Sequence, residues 1–424
     1  MNYPDSVHFL YALGNEIKTA KLGLERIRAV LGALGNPQDR LSIVHVAGTN
    51  GKGSTCAMVE SGFRAAGLRT GLYTSPHLAE PTERIRIDGR PVSAERFAAA
   101  FDRVHATVEQ LLACDAIDLH TTYFETVTAM AFVIFAEEGV ERVVLEVGLG
   151  GRLDATNVVQ PSLAVITPID FDHESFLGRS IESIATEKAG ILKSGVPAVF
   201  AHQRPEAARV LDGRAAELGV PVTRVVNSPL QHLSLEARGS RFEISGDRPL
   251  AIRCTLAGEH QAENAVTAAL ALLACGIDRR SIEAGIAAAV WPGRLEHVRE
   301  RPTMILDGAH NPAAARALAA YIGRFYSHSP LRLIFGIMRD KAAAEIAGIL
   351  FPLARQVIVT APRQSRALAP ESLRAVADHP NLQVAATLEE ALRLIGNAGP
   401  DDVIFVTGSL FLVAEARALL LPGG

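Results

Sequence analysis

The pattern of apolar and polar positions predicts strands that alternate with helices along most of the chain. Segment 42–55, SIVHVAGTNGKGST, shows this first: residues 43–46 are mainly apolar, as in a short buried strand. A glycine-rich turn follows, and Ser54 and Thr55 then open a run with the apolar spacing of a helix. Such a turn lets backbone N–H groups surround phosphate oxygens at the helix N-terminus.

The same turn holds the side chains that a nucleotide phosphate needs. Lys52 supplies a full positive charge, and Ser54 or Thr55 offers a hydroxyl to Mg2+. The usual pattern, G-x-x-x-x-G-K-[ST], would place glycine at Val46 and a hydroxyl at Gly53, so this loop departs from it at two positions. The alternative is a glycine-rich turn that binds nothing, but the strand and helix on either side favour a phosphate site.

Polar side chains at the ends of other predicted strands extend this candidate site. Residues 142–147 read as a buried strand, in which the Glu146 carboxylate needs a partner such as a metal ion; an edge-strand glutamate in solvent is the alternative. Ser75 ends the second strand and His173 follows the strand at 164–167, both well placed for a ligand. Read in isolation, Ser75 fits a plain turn equally well, and a lone histidine is more often a structural residue.

The C-terminal half reads as a change of architecture. Residues 230–256 alternate like antiparallel strands, and Pro292 and Gly293 mark a boundary, so we expect domains at 1–293 and 294–424. Strands are predicted after this boundary at 303–306, 331–335, 356–360, 382–385 and 402–406. The expected fold class is α/β: a P-loop-containing ATPase domain with a mainly parallel sheet and a small β excursion, followed by a smaller Rossmann-like α/β domain. The second domain has no G-x-G-x-x-G, so no dinucleotide is implied.

Several helices are predicted with their ends. Residues 5–35 read as helical, with 23–27 lying between two helical segments. An amphipathic helix fills 91–114, where Ser93 could cap it without a capping box. Another helix starts at 121–125, and the simple interpretation there is a capped core helix. A further helix is predicted over 181–192.

Composition limits the classes of function. A chain of 424 residues is longer than a single hydrophobic core usually supports. A net charge of −4 provides no basic field for nucleic acid or an anionic membrane. The four cysteines are scattered, which is typical of a reducing compartment. Residues 1–16 do not resemble a signal peptide, and the longest apolar run, 265–275, is too short to span a bilayer. We therefore expect a cytoplasmic protein.

Several motifs occur in the order of one known family. They are A-G-T-N-G-K-G-S-T at 47–55, E-V-G-L-G-G-R-L-D-A-T-N at 146–157, W-P-G-R-L-E at 291–296 and D-G-A-H-N-P at 307–312. The chain resembles the Mur ligase superfamily, and within it the folylpolyglutamate synthase and dihydrofolate synthase branch. Matching stretches run from residue 23 to residue 409, and so span nearly the whole chain.

The resemblance implies an ATP-dependent ligase that joins L-glutamate to dihydropteroate and to tetrahydrofolate or folylpolyglutamate through an acyl phosphate. The implied catalytic residues are Lys52, His173 and Lys188, with Lys188 carbamylated. The implied ATP-binding residues are Gly51, Lys52, Gly53, Ser54, Asn264, Arg294 and Asp307. Ligands for two Mg2+ ions, with Mn2+ as an alternative, are Ser54, Ser75, Glu146 and His173.

The resemblance also implies the other two substrate sites. The pterin and folate side comprises Gly23, Leu24, Glu25, Thr122, Tyr123, Phe124, Glu125, Leu153, Asp154 and Ala155. His310 and Ser409 are implied for the incoming glutamate. We expect a monomer with small-molecule substrates. Two rival hypotheses are a cell-wall precursor ligase of the same superfamily and a regulatory P-loop ATPase; the latter leaves D-G-A-H-N-P and the second domain unexplained.

Overall fold

Three sheets organise the chain in the computed structural model, which describes residues 1–13, 23–227, 230–245, 249–376 and 378–421. The first sheet contains β1 (Ile43–Ala47), β2 (Thr70–Tyr73), β3 (Ile85–Ile87), β4 (Arg90–Pro91), β5 (Arg142–Glu146), β6 (Leu163–Ile166), β7 (Ala198–Phe200) and β8 (Val222–Arg224). Its order is β4-β3-β2-β5-β1-β6-β7-β8, in which the pairs from β2 to β8 are parallel and β3 and β4 form an antiparallel edge.

The other two sheets follow in chain order. Strands β9 (Leu230–Glu236), β10 (Gly239–Ile244) and β11 (Leu250–Cys254) form a small antiparallel sheet. The third sheet contains β12 (Glu296–Glu300), β13 (Thr303–Leu306), β14 (Leu331–Phe335), β15 (Gln356–Val359), β16 (Leu382–Val384) and β17 (Val403–Thr407). Its order is β12-β13-β17-β14-β15-β16, and only the pairing of β12 with β13 is antiparallel. This arrangement confirms the predicted fold class.

Helices cover both faces of the two larger sheets. In the first part of the chain they are α1 (Tyr3–Ala12), α2 (Glu25–Ala33), α3 (Lys52–Ala65), α4 (Ala94–Ala113), α5 (Tyr123–Glu137), α6 (Glu174–Leu177), α7 (Ile181–Ala189), α8 (Pro205–Leu218), α9 (Glu259–Ala274) and α10 (Arg279–Ala288). The last part adds α11 (Pro312–Phe325), α12 (Ala343–Leu350), α13 (Pro370–Val376), α14 (Leu388–Leu394) and α15 (Leu410–Leu420).

Alternating residues of β5 contribute to two separate cores on opposite faces of the first sheet. Val143 and Leu145 of β5 face α1, α2, α4 and α5, whereas Val144 joins Val44 and Val46 under α3, α9 and α10. Because side chains of a strand point to opposite faces in turn, a continuous apolar strand requires helices on both sides. This two-sided burial fixes the carboxyl ends of β1, β2, β5 and β6 beside one another.

Some boundaries differ from the sequence predictions. Helix α2 begins at Glu25, so 23–27 does not lie between two helices; residues 14–22 of the predicted helical segment lie outside the described residues. Helix α7 ends at Ala189 rather than at residue 192. Ser93 caps α4 by accepting the Arg96 N–H, and the expected absence of a capping box is confirmed. Among the described residues, no helix is both long and apolar enough to cross a membrane.

Candidate active site

The phosphate loop connects β1 to α3 and depends on close backbone approach. Gly48 and Gly51 have positive φ values of 151° and 83°, and a Cβ at Gly51 would collide with the Asn264 side chain. Helix α3 begins at Lys52, whose Nζ donates to the Thr49 carbonyl at 3.1 Å. The loop therefore presents a helix N-terminus and one lysine to a single cavity.

That cavity, of about 610 Å3, lies where the first and third sheets face each other. The predicted residues that line it are Gly51, Lys52, Gly53, Ser54, Ser75, Glu146, His173, Lys188, Asn264, Arg294, Asp307 and His310. They come from the carboxyl ends of strands in both sheets, from α3, α7 and α9, and, for Arg294, from the turn before β12. The structure thus brings the predicted ATP, metal and catalytic residues together.

Glu146 ends β5 in register with Val46 of β1, directly beside the phosphate loop. Its side chain is buried, and Oε2 accepts the Ser75 N–H at 3.0 Å. Burial raises the pKa of the Glu146 carboxyl above its ordinary value, while Lys52 and the Ser75 N–H oppose that rise. The edge-strand alternative is wrong, because β5 lies between β1 and β2.

Three basic side chains, which come from both domains, lie close to the Asp172 carboxylate. Its Oδ1 lies 2.6 Å from Nζ of Lys341, and its Oδ2 lies 3.7 Å from Nε2 of His310 and 3.8 Å from Nε2 of His173. Burial would raise the pKa of the Asp172 carboxyl, but these three neighbours hold it well below its usual range. Burial lowers the pKa of His173 to about 4, so its imidazole is neutral at pH 7.

Lys188 reaches the phosphate loop from α7. It is buried, and its Nζ donates to the Gly48 carbonyl at 2.8 Å. Burial, together with the charge of Lys52, lowers the pKa of the Lys188 ammonium to about 7. A substantial neutral fraction at pH 7 follows, which is the form that reacts with CO2.

Asp307 and Asn264 line the cavity and form hydrogen bonds with neighbouring residues. The two Asp307 carboxylate oxygens accept the N–H groups of Leu295 and Ala309, both at 3.0 Å, and burial raises the pKa of this carboxyl. Nδ2 of Asn264 donates to Gln261 at 3.1 Å. Their contacts with a nucleotide stay predictions, since each side chain already stabilises the surrounding loops.

The predicted folate-side residues lie apart from this cavity. Tyr123 is buried, stacks on Tyr11 with ring centroids 5.8 Å apart, and has the Arg84 guanidinium 5.0 Å above its ring. Phe124 packs against Gly148, which itself lines the cavity, and its ring centroid lies 5.9 Å from that of Tyr73. An aromatic wall therefore lies beside the cavity.

Other residues of that predicted set have structural partners. Thr122 and Glu125 form the capping box of α5, and Glu125 also lies 3.3 Å from Arg26. The prediction of a capped core helix is therefore confirmed. Leu24 lies at the start of α2, between Gly23 and Glu25, and belongs to the same core as Phe124.

The turn after β5 is stabilised by Asp154. Its Oδ2 accepts the Leu149 N–H at 2.8 Å, and its Oδ1 accepts the Thr156 N–H at 3.0 Å. Burial raises the pKa of this carboxyl. Leu153 is half-buried, whereas Ala155 is buried in the core that contains Phe124. A folate contact for these three residues stays a prediction.

Ser409 has a structural partner, and two residues that contact each other at this site, Asp172 and Lys341, were not predicted. Ser409 caps α15 by accepting the Phe411 N–H at 3.2 Å, and only its neighbour Leu410 lines the cavity. Sequence reasoning did not select Asp172, although it follows a strand end, and found no role for Lys341. Charged residues at the strand ends of each domain were the available sequence signal for Asp172 and Lys341. Only the fold shows that these two residues meet.

The comparisons with known proteins agree with this geometry. The family model of the Mur ligase middle domain matches residues 92–272, and that of the Mur ligase glutamate ligase domain matches 293–410. The dihydrofolate synthase/folylpolyglutamate synthase of Bacillus subtilis is 35% identical, with 94% of this chain and 95% of that protein covered. A probable bifunctional folylpolyglutamate synthase/dihydropteroate synthase of Halobacterium salinarum is 38% identical over 98% of this chain, which spans 51% of that protein.

Solved structures are similar over the whole length. The folylpolyglutamate synthase of Mycobacterium tuberculosis complexed with ADP and AMPPCP has a TM-score of 0.92 and 34% identity, with 99% of both chains covered. Escherichia coli FolC in complex with DHPP and ADP has a TM-score of 0.87 and 32% identity, with 99% of this chain and 97% of that chain covered. The chain therefore belongs to the folylpolyglutamate synthase and dihydrofolate synthase family of the Mur ligases.

Proposed function

We propose that this chain is an ATP-dependent ligase that joins L-glutamate to dihydropteroate, giving dihydrofolate, and to tetrahydrofolate or folylpolyglutamate. One observation carries the proposal: a single cavity is lined by the phosphate loop and by Asp172 and His310, and Lys341 of the third sheet's domain forms an ion pair with Asp172. The names of relatives that cover nearly the whole chain agree with it. A site between two α/β domains suits a reaction in which two substrates must meet away from water.

The chemistry requires activation of a carboxylate. An oxide ion is a poor leaving group, so transfer of the γ-phosphoryl group from ATP first makes an acyl phosphate, from which phosphate leaves readily. Lys52 and the N-terminus of α3 would orient the ATP phosphates and balance the charge of the moving group. The α-amine of L-glutamate then attacks the acyl carbon and forms the amide. Closure of the cavity would protect the acyl phosphate from hydrolysis.

Such ligases generally use Mg2+, and the donor set of this cavity fits that ion. The buried carboxylate Glu146 lines the same cavity as Ser54 and Ser75, and oxygen donors are those that Mg2+ prefers. We propose that these three residues and the neutral imidazole of His173 hold two ions, for which Mn2+ is an alternative. When bound, the metal neutralises charge on the ATP phosphates and on the leaving phosphate.

We further propose that Lys188 is carbamylated. Its pKa of about 7 supplies the neutral amine that reacts with CO2, and its Nζ lies 2.8 Å from the Gly48 carbonyl. A carbamate there would replace a buried cation by an anion beside the phosphate loop. That anion would orient a metal ion or its bound water.

The folate substrate and L-glutamate are assigned to different parts of the site. We propose that the pterin lies against Tyr123 and Phe124, near the starts of α2 and α5 and the turn at 153–155. His310 would face the incoming glutamate: its Nδ1–H donates to the Gly308 carbonyl at 2.7 Å, and its Nε2 lies 3.7 Å from Oδ2 of Asp172 in the same cavity. Ser409 is the second candidate on that side.

The remaining proposals concern organisation. We propose a domain boundary between residues 293 and 294, because β12 starts the third sheet at Glu296. A cytoplasmic location agrees with the four free cysteines, Cys56, Cys114, Cys254 and Cys275. A monomer is proposed, and light scattering would test it.

The test of the proposed function is incorporation of labelled L-glutamate. Purified protein with ATP and Mg2+ should transfer label to dihydropteroate and to tetrahydrofolate, and Lys52→Ala should transfer none. ATP turnover that needs neither folate nor glutamate would favour a regulatory ATPase instead. Transfer to a UDP-linked peptide would favour a cell-wall precursor ligase.

A further inference from the structure

A group of three potential metal ligands lies outside the cavity, at the C-terminal half of α4. His105 and Glu109 are four residues apart on this helix, so both lie on one face, and His120 comes from the segment between α4 and α5. Nδ1 of His105 and Nε2 of His120 each lie 3.9 Å from Oε1 of Glu109. The three ligand atoms all lie within 4.8 Å of one another.

The two ring nitrogens that face this carboxylate are unsatisfied. Nδ1 of His105 and Nε2 of His120 are buried and have no hydrogen-bond partner in the part of the chain that the structure describes. Buried polar atoms in folded proteins almost always have one. Two such atoms on either side of one carboxylate indicate that a ligand completes the group.

The tautomer of His120 suits metal binding. Its Nδ1 lies 2.9 Å from the Thr121 carbonyl, and because a carbonyl only accepts, the proton is on Nδ1. The lone pair of Nε2 then points toward Glu109. A backbone carbonyl that holds the second ring nitrogen is the usual support of a metal-binding histidine.

Aromatic rings surround the imidazoles on the protein side. The Phe9 ring centroid lies 4.6 Å from that of His105 and 5.7 Å from that of His120, and Phe101 stacks on His105 at 5.4 Å. The Glu109 side chain is 57% exposed. The group is therefore rigid on its inner side and open to ions from solvent on its outer side.

We propose that His105, Glu109 and His120 bind a divalent transition-metal ion, of which Zn2+ is the best match. Two imidazoles and one carboxylate are a known zinc donor set, with water completing the coordination. Tetrahedral zinc with bonds of about 2.0–2.2 Å places its donors about 3.3–3.6 Å apart, so binding would shorten the two 3.9 Å spacings by only a few tenths of an ångström. Mg2+ prefers oxygen ligands, so the site selects against the ion of the cavity.

The ion would stabilise the entry to α5. His120 precedes Thr121, whose Oγ1 lies 2.8 Å from Oγ1 of Thr126, and Thr122 caps the helix. Linking α4 to this segment restrains the chain just before Tyr123. The proposal concerns stability and metal content, and it does not depend on the reaction proposed for the cavity.

The test is calorimetric titration of metal-free protein with Zn2+ in excess Mg2+. We expect wild type to bind one equivalent that Glu109→Gln and His120→Ala lose or bind at least about tenfold more weakly. The control His328→Ala removes an exposed histidine of the other domain and should leave binding unchanged. Glu109→Gln changes an exposed side chain, so it keeps the test valid if His120→Ala does not fold.

Thermal unfolding supplies a second readout. Zn2+ should raise the Tm of wild type and of His328→Ala but not that of Glu109→Gln. Zinc binding that is equal in all variants would place the ion elsewhere, for example on free cysteines, and would overturn the proposal. So would an absence of zinc binding.

Discussion

Nζ of Lys341 lies 2.6 Å from Oδ1 of Asp172, and this ion pair joins the third sheet's domain to the strand ends of the first sheet. Both side chains are about nine-tenths buried, at 9% and 10% exposed. A buried pair of this kind costs much when one partner is removed, because the other charge is left unpaired. The pair therefore links the two domains beside the cavity.

Lys341→Met should weaken this arrangement. We expect kcat/KM for L-glutamate to fall on the order of a hundredfold, since about 3 kcal/mol of buried-pair energy corresponds to that ratio. Steady-state kinetics with varied glutamate would measure it. Asp340→Asn is the control, because Asp340 is 41% exposed and lies 4.0 Å from the same amine. Equal kinetics in Lys341→Met and wild type would show that the pair does not support the active arrangement.

Gly53 departs from the usual phosphate loop for a packing reason. A Cβ at this position would lie 2.8 Å from Nε1 of Trp291 and 2.9 Å from its ring carbon Cζ2. We expect Gly53→Ala to lower the free energy of unfolding by about 1–3 kcal/mol, as overpacking does.

Chemical denaturation would measure that change, and the intrinsic fluorescence of Trp291, the one tryptophan in the sequence, would follow it. Gly32→Ala serves as the control, because a Cβ there meets nothing within 4 Å inside α2. Gly32→Ala should be neutral or slightly stabilising. If Gly53→Ala were as stable as its control, the indole would not be the reason for glycine at this position.

Glu146→Gln should abolish phosphoryl transfer while the fold survives. The amide keeps an oxygen that can accept the Ser75 N–H, but it cannot supply the negative charge that a Mg2+ ion requires. Phosphate release and circular dichroism would report activity and fold together. Glu141→Gln, an exposed change just before the same strand, should behave as wild type. Turnover near the wild-type rate in Glu146→Gln would remove this residue from the proposed metal site.

The titration of Lys188 predicts a pH dependence of stability. Its pKa is lowered from 10.5 to about 7 in the folded state, so between these values the unfolded chain binds more protons than the folded chain. The stability of wild type relative to Lys188→Met should therefore rise as pH increases from about 7 to about 10. Urea denaturation across this range would measure the difference. A flat difference would mean that Lys188 titrates normally.

Carbamylation adds a kinetic expectation for the same residue. Activity should fall in CO2-depleted buffer and recover with bicarbonate, because the modification consumes CO2. Lys193→Met is a matched control, since Lys193 lies in the following loop and donates to Asn157 at 2.8 Å. Activity that ignores bicarbonate would contradict the proposed carbamate.

Much of the fold was predictable because its strands are short apolar runs that end in glycine or polar residues. The strand that carries Glu146 is an example: its apolar neighbours predicted burial, which is confirmed, and the carboxylate predicted a partner such as a metal ion, which stays a prediction. Family motifs added the order of the sites. The family assignment is confirmed by relatives such as the Bacillus subtilis protein.

The rest depends on contacts between residues far apart in sequence. Strand β12 pairs antiparallel with β13 through a bulge, and its exposed polar residues resemble a loop. The meeting of Asp172 with Lys341 spans 169 positions, and no local pattern encodes it. Glu125 likewise belongs to the capping box of α5 and forms an ion pair with Arg26. A glutamate at this position therefore does not by itself distinguish a structural role from a binding role.

Phosphate release from ATP tests the central claim most directly. Purified protein with Mg2+ and L-glutamate should release phosphate with dihydropteroate and with tetrahydrofolate. It should release only background phosphate when no acceptor is present, or when glutamate is left out. Release with tetrahydrofolate alone would restrict the chain to polyglutamate synthesis. Release with neither acceptor, from protein that still binds ATP, would contradict the proposed ligase reaction.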